Sequence, residues 1–377
     1  LLREQFIALI NEIIAFIMKY TDVILDIENS PDSLEDKISK YDGVIEKIQE
    51  CEGLLASATD KGQKIASEGT AADKNSITEQ LQSLKNQLQN LRKAVESQRQ
   101  KHQNMLEHHR KMAADLQDIL DWLHQHEGEA KSRPLLDRDA ESVEHEIQKH
   151  HKLSQDIHNK LAEFSKINDK VQTEIGMPSS LVDLLSEGRS LLTSLPQELE
   201  DREKYLNLNR DSRLEYMKLV SKFNDWVHEA ELRLQNTQHG IDYQSLLHDL
   251  EEHKVFFGND TFIKNLVHTQ IQEASDKIWA SLNSYEQSEL SAELASYQTK
   301  LANVLAAAKT QQGELEKESE RWREYQASVE RVKATIERSK FVDEPVQNLA
   351  GVHFNIQKLS HAIGNVQVSD CFMKISI

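Results

Sequence analysis

Apolar side chains recur at alternating steps of four and three residues along the first part of the chain. The positions are Phe6, Ile10, Ile13, Ile17, Tyr20, Ile24 and Ile27. Because an α-helix has about 3.6 residues per turn, this spacing places all of them on one face, as in helices that pack along their length. The pattern predicts a helix over residues 6–27 that buries one stripe against neighbouring helices.

The same pattern returns three more times along the chain. Phe16 is matched by Trp122 after 106 residues, by Trp226 after a further 104 and by Val332 after a further 106, with the fourth copy weaker but still in phase. Self-similarity at a fixed period indicates a stacked array of repeats. We predict that these four residues are structural core markers, with the tryptophans as large anchors in the interior of each bundle.

Glycine and proline divide each period into three helices. The first break follows the first helix of each copy, at Ser30-Pro31, Arg133-Pro134, Gly240-Ile241 and Glu344-Pro345. The second break lies further on, at Gly69 to Asp73, at Gly176 to Ser179 and at Asn283-Ser284. No third break is present, so the third helix of one copy should continue as the first helix of the next. Residues 76–127 contain no Gly or Pro and predict one continuous helix of about 50 residues.

The predicted fold is therefore all-α: tandem three-helix bundles in an elongated rod, with helices shared between neighbours. The fourth copy lacks a third helix and ends in VSDCFMKISI, which fits no heptad and indicates an alternative or artificial terminus. The apolar faces of residues 315–363 should therefore be partly exposed. The predicted domains are repeats 1–105, 106–209 and 210–314, and a truncated repeat 315–377 with a divergent tail.

A period near 106, a mid-helix tryptophan, three helices and a shared helix together resemble spectrin repeats. Within that superfamily, residues 277–301 (KIWASLNSYEQSELSAELASYQTKL) and residues 320–367, which begin ERWREYQASVERVKATIERSK, resemble nesprins, which are giant spectrin-repeat proteins of the nuclear envelope. Spectraplakins and dystrophin-like proteins use the same unit and remain alternatives. The resemblance implies a cytoplasmic, cytoskeleton-associated spacer in a protein that tethers the nuclear envelope to actin.

Two parts of nesprins have no counterpart in this sequence: the paired calponin-homology domains that bind actin and the membrane-spanning segment. Actin binding and membrane insertion are therefore not carried over to any residue here, and the link to actin and to the outer nuclear membrane would be indirect. The alternative function is a protein-binding module, in which one repeat recruits a cytoskeletal or trafficking partner through a helical face. Self-association is a further option for such faces.

Composition limits the other classes of function. The net charge of −18 and the lack of a basic patch argue against nucleic acid as a partner. Five polar or charged residues interrupt the first helix and argue against a membrane span: Asn11, Glu12, Lys19, Asp22 and Asp26. Cys51 and Cys371 are too few and too far apart for a disulfide framework, which fits a reducing compartment.

No motif in the sequence points to an enzyme, a cofactor or a metal. Nine histidines concentrate in the second copy: His102, His108, His109, His124, His126, His145, His150, His151 and His158. None forms a pair at the spacing of three or four residues that helical zinc ligands use, so we expect solvated or flanking histidines; a zinc site and a pH-sensitive surface are the alternatives. Cys51 should be a small core or flanking residue.

Two positions are candidate hinges. Pro196 lies inside the predicted third helix of the second copy, where proline removes a backbone hydrogen bond; it is either a tolerated kink or a hinge between copies. Gly258, followed by Asn259, invites a break in the second helix of the third copy. The preceding Phe256-Phe257 pair is either core or a patch for a partner.

Overall fold

The computed structural model describes residues 1–171, 177–340 and 348–376, with side chains up to residue 368. Within those ranges the secondary structure is helical, with no β-strand, which confirms the all-α prediction. The chain divides into two compact units: unit 1 comprises residues 1–132 and 150–202, and unit 2 comprises residues 133–149 and 203–377.

Ten α-helices and one π-helical turn occupy the described residues. In chain order they are α1 (Leu2–Asn29), α2 (Leu34–Glu68), α3 (Ala71–Lys131), α4 (Ala140–Val171), α5 (Ser179–Gln235), α6 (Tyr243–Gly258), α7 (Asp260–Asn265), the π-helical turn (Leu266–Ile271), α8 (Gln272–Trp279), α9 (Ser284–Ser339) and α10 (Leu349–Ser376). The first helix and the long uninterrupted helix that the sequence predicts are thus present as α1 and α3.

The predicted breaks carry helix N-caps. The side-chain oxygens of Ser33 and Asp242 accept from backbone N–H groups at the starts of α2 and α6, and Asn283 does the same at α9. Thr70 and Asp73 form a reciprocal capping box at α3. Each cap satisfies an otherwise unpaired N–H and fixes where a helix begins. The predicted break at Glu344-Pro345, and Gly176 of the second break, lie outside the described residues.

Unit 1 contains two hydrophobic clusters that share α3. The first cluster joins α1 and α2 to the first half of α3, up to Val95. The second cluster begins at Met112 of the same helix and joins α4 and the first half of α5. One helix of 61 residues, about 90 Å long at 1.5 Å per residue, therefore supplies the core of two successive bundles.

Unit 2 contains the third cluster, formed by the second half of α5, the helical segments 243–279 and the first half of α9. The sequence predicts one long second helix here with a soft point at Gly258. In the structure α6 ends at Gly258, and a short α7, the π-helical turn and α8 follow before the turn into α9. A π-helical turn accommodates one extra residue per turn, which changes the face that α8 presents.

The last helices form a hairpin with exposed apolar faces. α10 packs against the end of α9. Several of its large apolar side chains remain exposed: Leu349, Val352, Phe354, Ile356 and Ile363. This agrees with the partly exposed faces expected for residues 315–363. The tail that fits no heptad continues α10 as far as Ser376.

Candidate functional site: a buried polar junction

Three of the four core markers lie at the edge of a hydrophobic cluster rather than in its interior. Phe16, Trp122 and Trp226 are half-buried and pack against the first, second and third clusters. Val332 is half-buried on α9. Residues such as Phe223, only 1% exposed, fill the interior instead. The period identified the correct helical face, but ring size alone did not show how deep each side chain lies.

The aromatic side chains around Trp226 show why its ring remains partly exposed. The ring stacks on Phe256 with centroids 5.7 Å apart, and meets Phe257 edge-on at 6.3 Å. The guanidinium of Arg233 lies 4.5 Å from the centre of the Phe256 ring, where it covers the outer face as a cation–π contact. Phe257 is buried in the third cluster, so of the two interpretations of the Phe pair the structure favours core packing.

The two candidate hinges differ in backbone structure. α5 continues through Pro196 without a break, with Leu195 and Leu199 buried on either side. Gly258 is the last residue of α6, and Asn259 separates it from α7. Hinge motion at either residue stays a prediction, although the helix is interrupted only at Gly258.

Three of the nine histidines in the second copy are buried, so the expectation of solvated or flanking histidines was wrong for His102, His109 and His150. The Nδ1 of His102 lies 2.7 Å from the carbonyl oxygen of Gln98, one turn earlier in α3. The Nδ1 of His150 accepts a hydrogen bond from Arg202 at 3.1 Å. These contacts let an imidazole enter a helical core, because its polar atoms are paired there. The described residues contain no group of His, Cys, Asp or Glu arranged to hold a metal ion.

Unit 2 holds an extensive buried polar arrangement, centred on Arg213 of α5. Its side chain is fully buried. The Nε donates to the carbonyl oxygen of Asp137 at 2.6 Å, and Nη2 donates to Ser281 Oγ at 2.9 Å. Nη1 donates to the carbonyl oxygen and the side-chain oxygen of Asn209. The guanidinium therefore connects α5 to the α3–α4 connector (residues 132–139) and to the turn between α8 and α9.

Backbone contacts hold the same three segments together. The N–H of Leu136 donates to the carbonyl oxygen of Ser281 at 2.7 Å. The Tyr205 hydroxyl donates to the carbonyl oxygen of Pro134 at 2.7 Å. Leu136 is also buried in a small cluster with Leu206 and residues of α4. The connector is thus fixed by backbone and side-chain contacts to residues that lie about 70 to 145 positions later in the chain.

A second set of contacts surrounds Glu293 of α9. One carboxylate oxygen lies 2.7 Å from Nη2 of Arg138. The other accepts hydrogen bonds from the hydroxyls of Tyr216 at 3.0 Å and Tyr297 at 2.6 Å. The Arg138 guanidinium also lies 5.9 Å from the centre of the Tyr216 ring. We call the two sets around Arg213 and Glu293, which share the connector and α5, the polar junction.

The electrostatics around Glu293 favour a charged carboxylate paired with Arg138. Burial alone would raise the pKa of Glu293, but hydrogen bonds from Tyr297, Arg138 and Tyr216 lower it overall. Burial lowers the pKa of Arg213, whose guanidinium is paired with neutral acceptors. Burial, with the Glu293 charge beside it, raises the pKa of Tyr216. These contacts tie α5, the connector and α9 together.

Sequence reasoning missed the polar junction. Its contacts between different elements join residues that lie 68 to 155 positions apart in the chain, and each charged or hydroxyl residue in it is of an ordinary type for a helical sequence. One signal was available in the sequence. Arg213 precedes the apolar Tyr216 by three residues, so the two side chains lie on the same face of α5. His109 precedes Met112 in the same way and is also buried. A polar residue on the apolar face of a helix thus indicates a buried polar position.

A groove runs along the first bundle between α2 and α3, with a volume of about 720 Å³. Its lining includes Leu55, Ala56, Gly62, Lys74, Ile77 and Lys85. We call it the α2–α3 groove. Its lining combines apolar and small side chains with polar and charged ones.

Within the described ranges, no helix has a stretch of sufficient length and apolarity to cross a bilayer. Among curated proteins, the chain is similar to the muscle-specific protein 300 kDa of Drosophila melanogaster, with 82% identity over 367 residues. The match covers 97% of this chain and 3% of that protein, so the chain spans only a small part of its relative's length. No solved structure matches the chain. A family model for the spectrin repeat matches residues 1–104 and 107–204, more than half of the sequence, and the chain therefore belongs to the spectrin-repeat family.

Proposed function

We propose that this chain is a non-enzymatic structural spacer in a cytoskeletal scaffold. The observation that carries the proposal is α3, whose 61 residues supply buried side chains to two successive bundles. Tension or bending applied to one bundle must pass through this helix to the other, because no flexible linker separates them. The domains in this proposal are three repeats at 1–105, 106–209 and 210–314 and a truncated repeat at 315–377.

The polar junction supports the same role in unit 2. It fixes the connector that follows α3 to α5 and to the start of α9. In the proposed scheme the connector belongs to the second repeat and Ser281 and Glu293 belong to the third. A continuous helix and buried polar contacts should each resist bending at the places where they join successive repeats.

Force measurement on the whole chain tests the coupling through α3. Gln100 is exposed and lies between the two clusters of unit 1. Gln100→Pro interrupts the helix there, at a cost of about 3 kcal/mol or more, whereas Gln100→Ala keeps it intact. We expect the first two bundles to unfold together in optical-tweezer records of the wild type and of Gln100→Ala, and separately in Gln100→Pro. Independent unfolding of the two bundles in the wild type would contradict the proposal.

The more specific role is drawn from the nesprin resemblance. We infer that the parent protein tethers the nuclear envelope to the actin cytoskeleton, with this segment in the cytoplasm between the two attachment points. The name of the Drosophila relative supports muscle as the tissue in which to examine this role. The test is replacement of the segment, in the parent protein, by an unrelated spectrin-repeat segment of equal length. A spacer role predicts that nuclear position in muscle fibres is retained, and that deletion disturbs it.

The second candidate function is a protein-binding module, which the α2–α3 groove favours because it offers a long concave face on one bundle. The replacement experiment separates the two functions. If nuclear position is retained with the foreign segment while a partner is lost, both roles are present. If position is lost with the foreign segment, specific binding rather than length is what the segment contributes.

A further inference from the structure

The floor of the α2–α3 groove is apolar and kept open by small side chains. Leu55, Ile77 and Leu81 are half-buried along it. At Gly62 an added Cβ would lie only 3.0 Å from the side chains of Phe6 and Ile77, so the helices already pack closely beneath the floor. Ala56 and Ala66 on α2 leave room above it. The groove therefore lies on the surface of the first bundle, over a closely packed floor and beside small side chains of α2. It is not a cavity within the core.

The charge at the rim has the opposite sign to the charge of the whole molecule. Lys74 and Lys85 of α3 line the groove and are exposed, and neither lies within ion-pair distance of a carboxylate among the described residues. The acidic side chain in the lining, Glu52, is already paired with Arg92 at 2.7 Å. A chain of net charge −18 thus presents unpaired positive charge along an apolar groove. An acidic partner surface would be repelled by the rest of this acidic molecule but attracted to the rim of the groove.

The dimensions fit one helix. The lining spans residues 52–67 of α2 and 74–89 of α3, about 22 Å on each side at 1.5 Å per residue. Lys74 and Lys85 are eleven residues, or about three turns, apart. An amphipathic helix laid along the groove would place apolar side chains at steps of three and four residues on the floor. Acidic side chains about three turns apart on its flank would meet the two ammonium groups.

We propose that the α2–α3 groove binds an acidic amphipathic helix of a partner protein. Charge complementarity selects this occupant over a basic or neutral helix, and the small residues of α2 permit close approach of its backbone. The proposal rests on the second candidate function, a protein-binding module at this groove, and is independent of the spacer role, which is tested at Gln100 outside the groove.

The test uses the full chain and a defined probe. The probe is a fluorescein-labelled, hydrocarbon-stapled 18-residue helix with leucines at steps of three and four and two glutamates eleven residues apart. We expect it to bind the wild-type chain with a micromolar Kd by fluorescence anisotropy. The double variant Lys74→Glu/Lys85→Glu should weaken binding by about tenfold or more, because both rim charges become repulsive. The matched control, Lys93→Glu/Lys111→Glu, makes the same change in net charge at exposed α3 positions outside the groove.

A second variant tests the floor without altering charge. Ala56→Trp places a large side chain at an exposed position in the groove and should abolish binding while the circular dichroism spectrum and the melting temperature stay unchanged. A probe with lysines in place of the two glutamates should bind at least tenfold more weakly than the acidic probe. The proposal is overturned if the acidic probe does not bind, if the basic probe binds equally well, or if the rim reversal has no more effect than the control.

Discussion

At the scale of single residues, the packing of Gly188 against Phe164 leads to a prediction that runs against helix propensity. Gly188 lies within α5, and a Cβ at this position would overlap the Phe164 ring of α4. Phe164 is fully buried and cannot move away without disturbing the second cluster. Gly188→Ala should therefore destabilise the chain by about 1–3 kcal/mol, since overpacking outweighs the gain in propensity.

Gly128 provides the matched control for this prediction. It lies in α3 of the same bundle, and no atom is within 4 Å of a Cβ built there. Gly128→Ala should stabilise by about 0.5–1 kcal/mol. Chemical denaturation followed by circular dichroism measures both effects. Equal stabilisation by the two alanines would show that Phe164 yields more easily than its burial indicates.

Cys51 should be chemically inert in the folded chain. It is a free thiol buried in the first cluster. Burial, with the charges of Glu12 and Glu52 nearby, raises the pKa of the Cys51 thiol to about 11. Because the thiolate is the reactive form, Ellman's reagent should label a Cys371→Ser chain only after denaturation. Rapid labelling under native conditions would mean that the first bundle opens far more often than its packing indicates.

His253 gives the third bundle an acid-sensitive point. It is buried on α6, and neither ring nitrogen has a hydrogen-bond partner among the described residues. Burial, and then the neighbouring His239, lowers the pKa of His253 below its ordinary value of 6.5. A lowered histidine pKa favours the neutral ring in the fold. The stability it contributes is complete above about pH 6.5 and is lost as the pH falls through 6.5 towards the lowered value.

Hydrogen exchange can localise that loss to α6. We expect protection of residues 243–258 to decrease between pH 7 and pH 5, after correction for intrinsic exchange rates. His253→Leu should remove most of the pH dependence, because the leucine cannot be protonated. His248→Leu, at an exposed position of the same helix, should leave it in place. An unchanged pH profile in His253→Leu would assign the effect to other groups, such as the Asp249 carboxylate beside His239.

At the scale of helices, the sequence was sufficient where local patterns decide the structure. The apolar period located α1, and the absence of Gly and Pro over residues 76–127 identified α3 as continuous. Helix ends coincide with turn-forming residues because Ser33, Thr70 and Asn283 can cap the next helix. These features depend on residues within about four positions of one another, which is the range that a period or a cap can report.

The sequence was insufficient where partners lie far apart along the chain. The half-buried positions of Trp122 and Trp226, and the interruption of the helical segment 243–279 by a π-helical turn, depend on packing between helices. Nothing in the sequence within a few positions of Arg213 or Glu293 distinguishes them from solvated charged residues. Only their contacts with residues 68 to 155 positions away make them part of a buried junction.

The polar junction itself supports a prediction at this scale. Glu293→Gln keeps the shape of the side chain but removes the charge that pairs with Arg138 and accepts from Tyr216 and Tyr297. We expect destabilisation by about 1–3 kcal/mol, the range for a partly buried group that loses its ionic partner. Glu289→Gln is the control, since Glu289 also accepts from a tyrosine, Tyr285, but at an exposed site of the same helix. Its effect on the melting temperature should be near zero.

At the scale of the whole molecule, the clusters indicate which parts of the chain depend on each other. The three large clusters draw on α1 to α9, and none of them includes a residue of α10 whose side chain the structure describes. α10 packs on the distal half of α9, beyond the last third-cluster residue, Ala308. Its apolar side chains that stay exposed contribute little to burial. The stability of the first three bundles should thus be largely independent of the segment that follows α9.

Truncation after residue 340 tests this independence. Removal of residues 341–377 should leave the melting transition of the remaining chain within about 2 °C of the original, because no large cluster loses a side chain. It should also reduce binding of a hydrophobic dye, since exposed Leu349, Phe354 and Ile356 are removed while little new apolar surface of α9 is uncovered. A large fall in the melting temperature would mean that α10 stabilises the bundles before it, and the repeats would then be coupled beyond the shared helices and the polar junction.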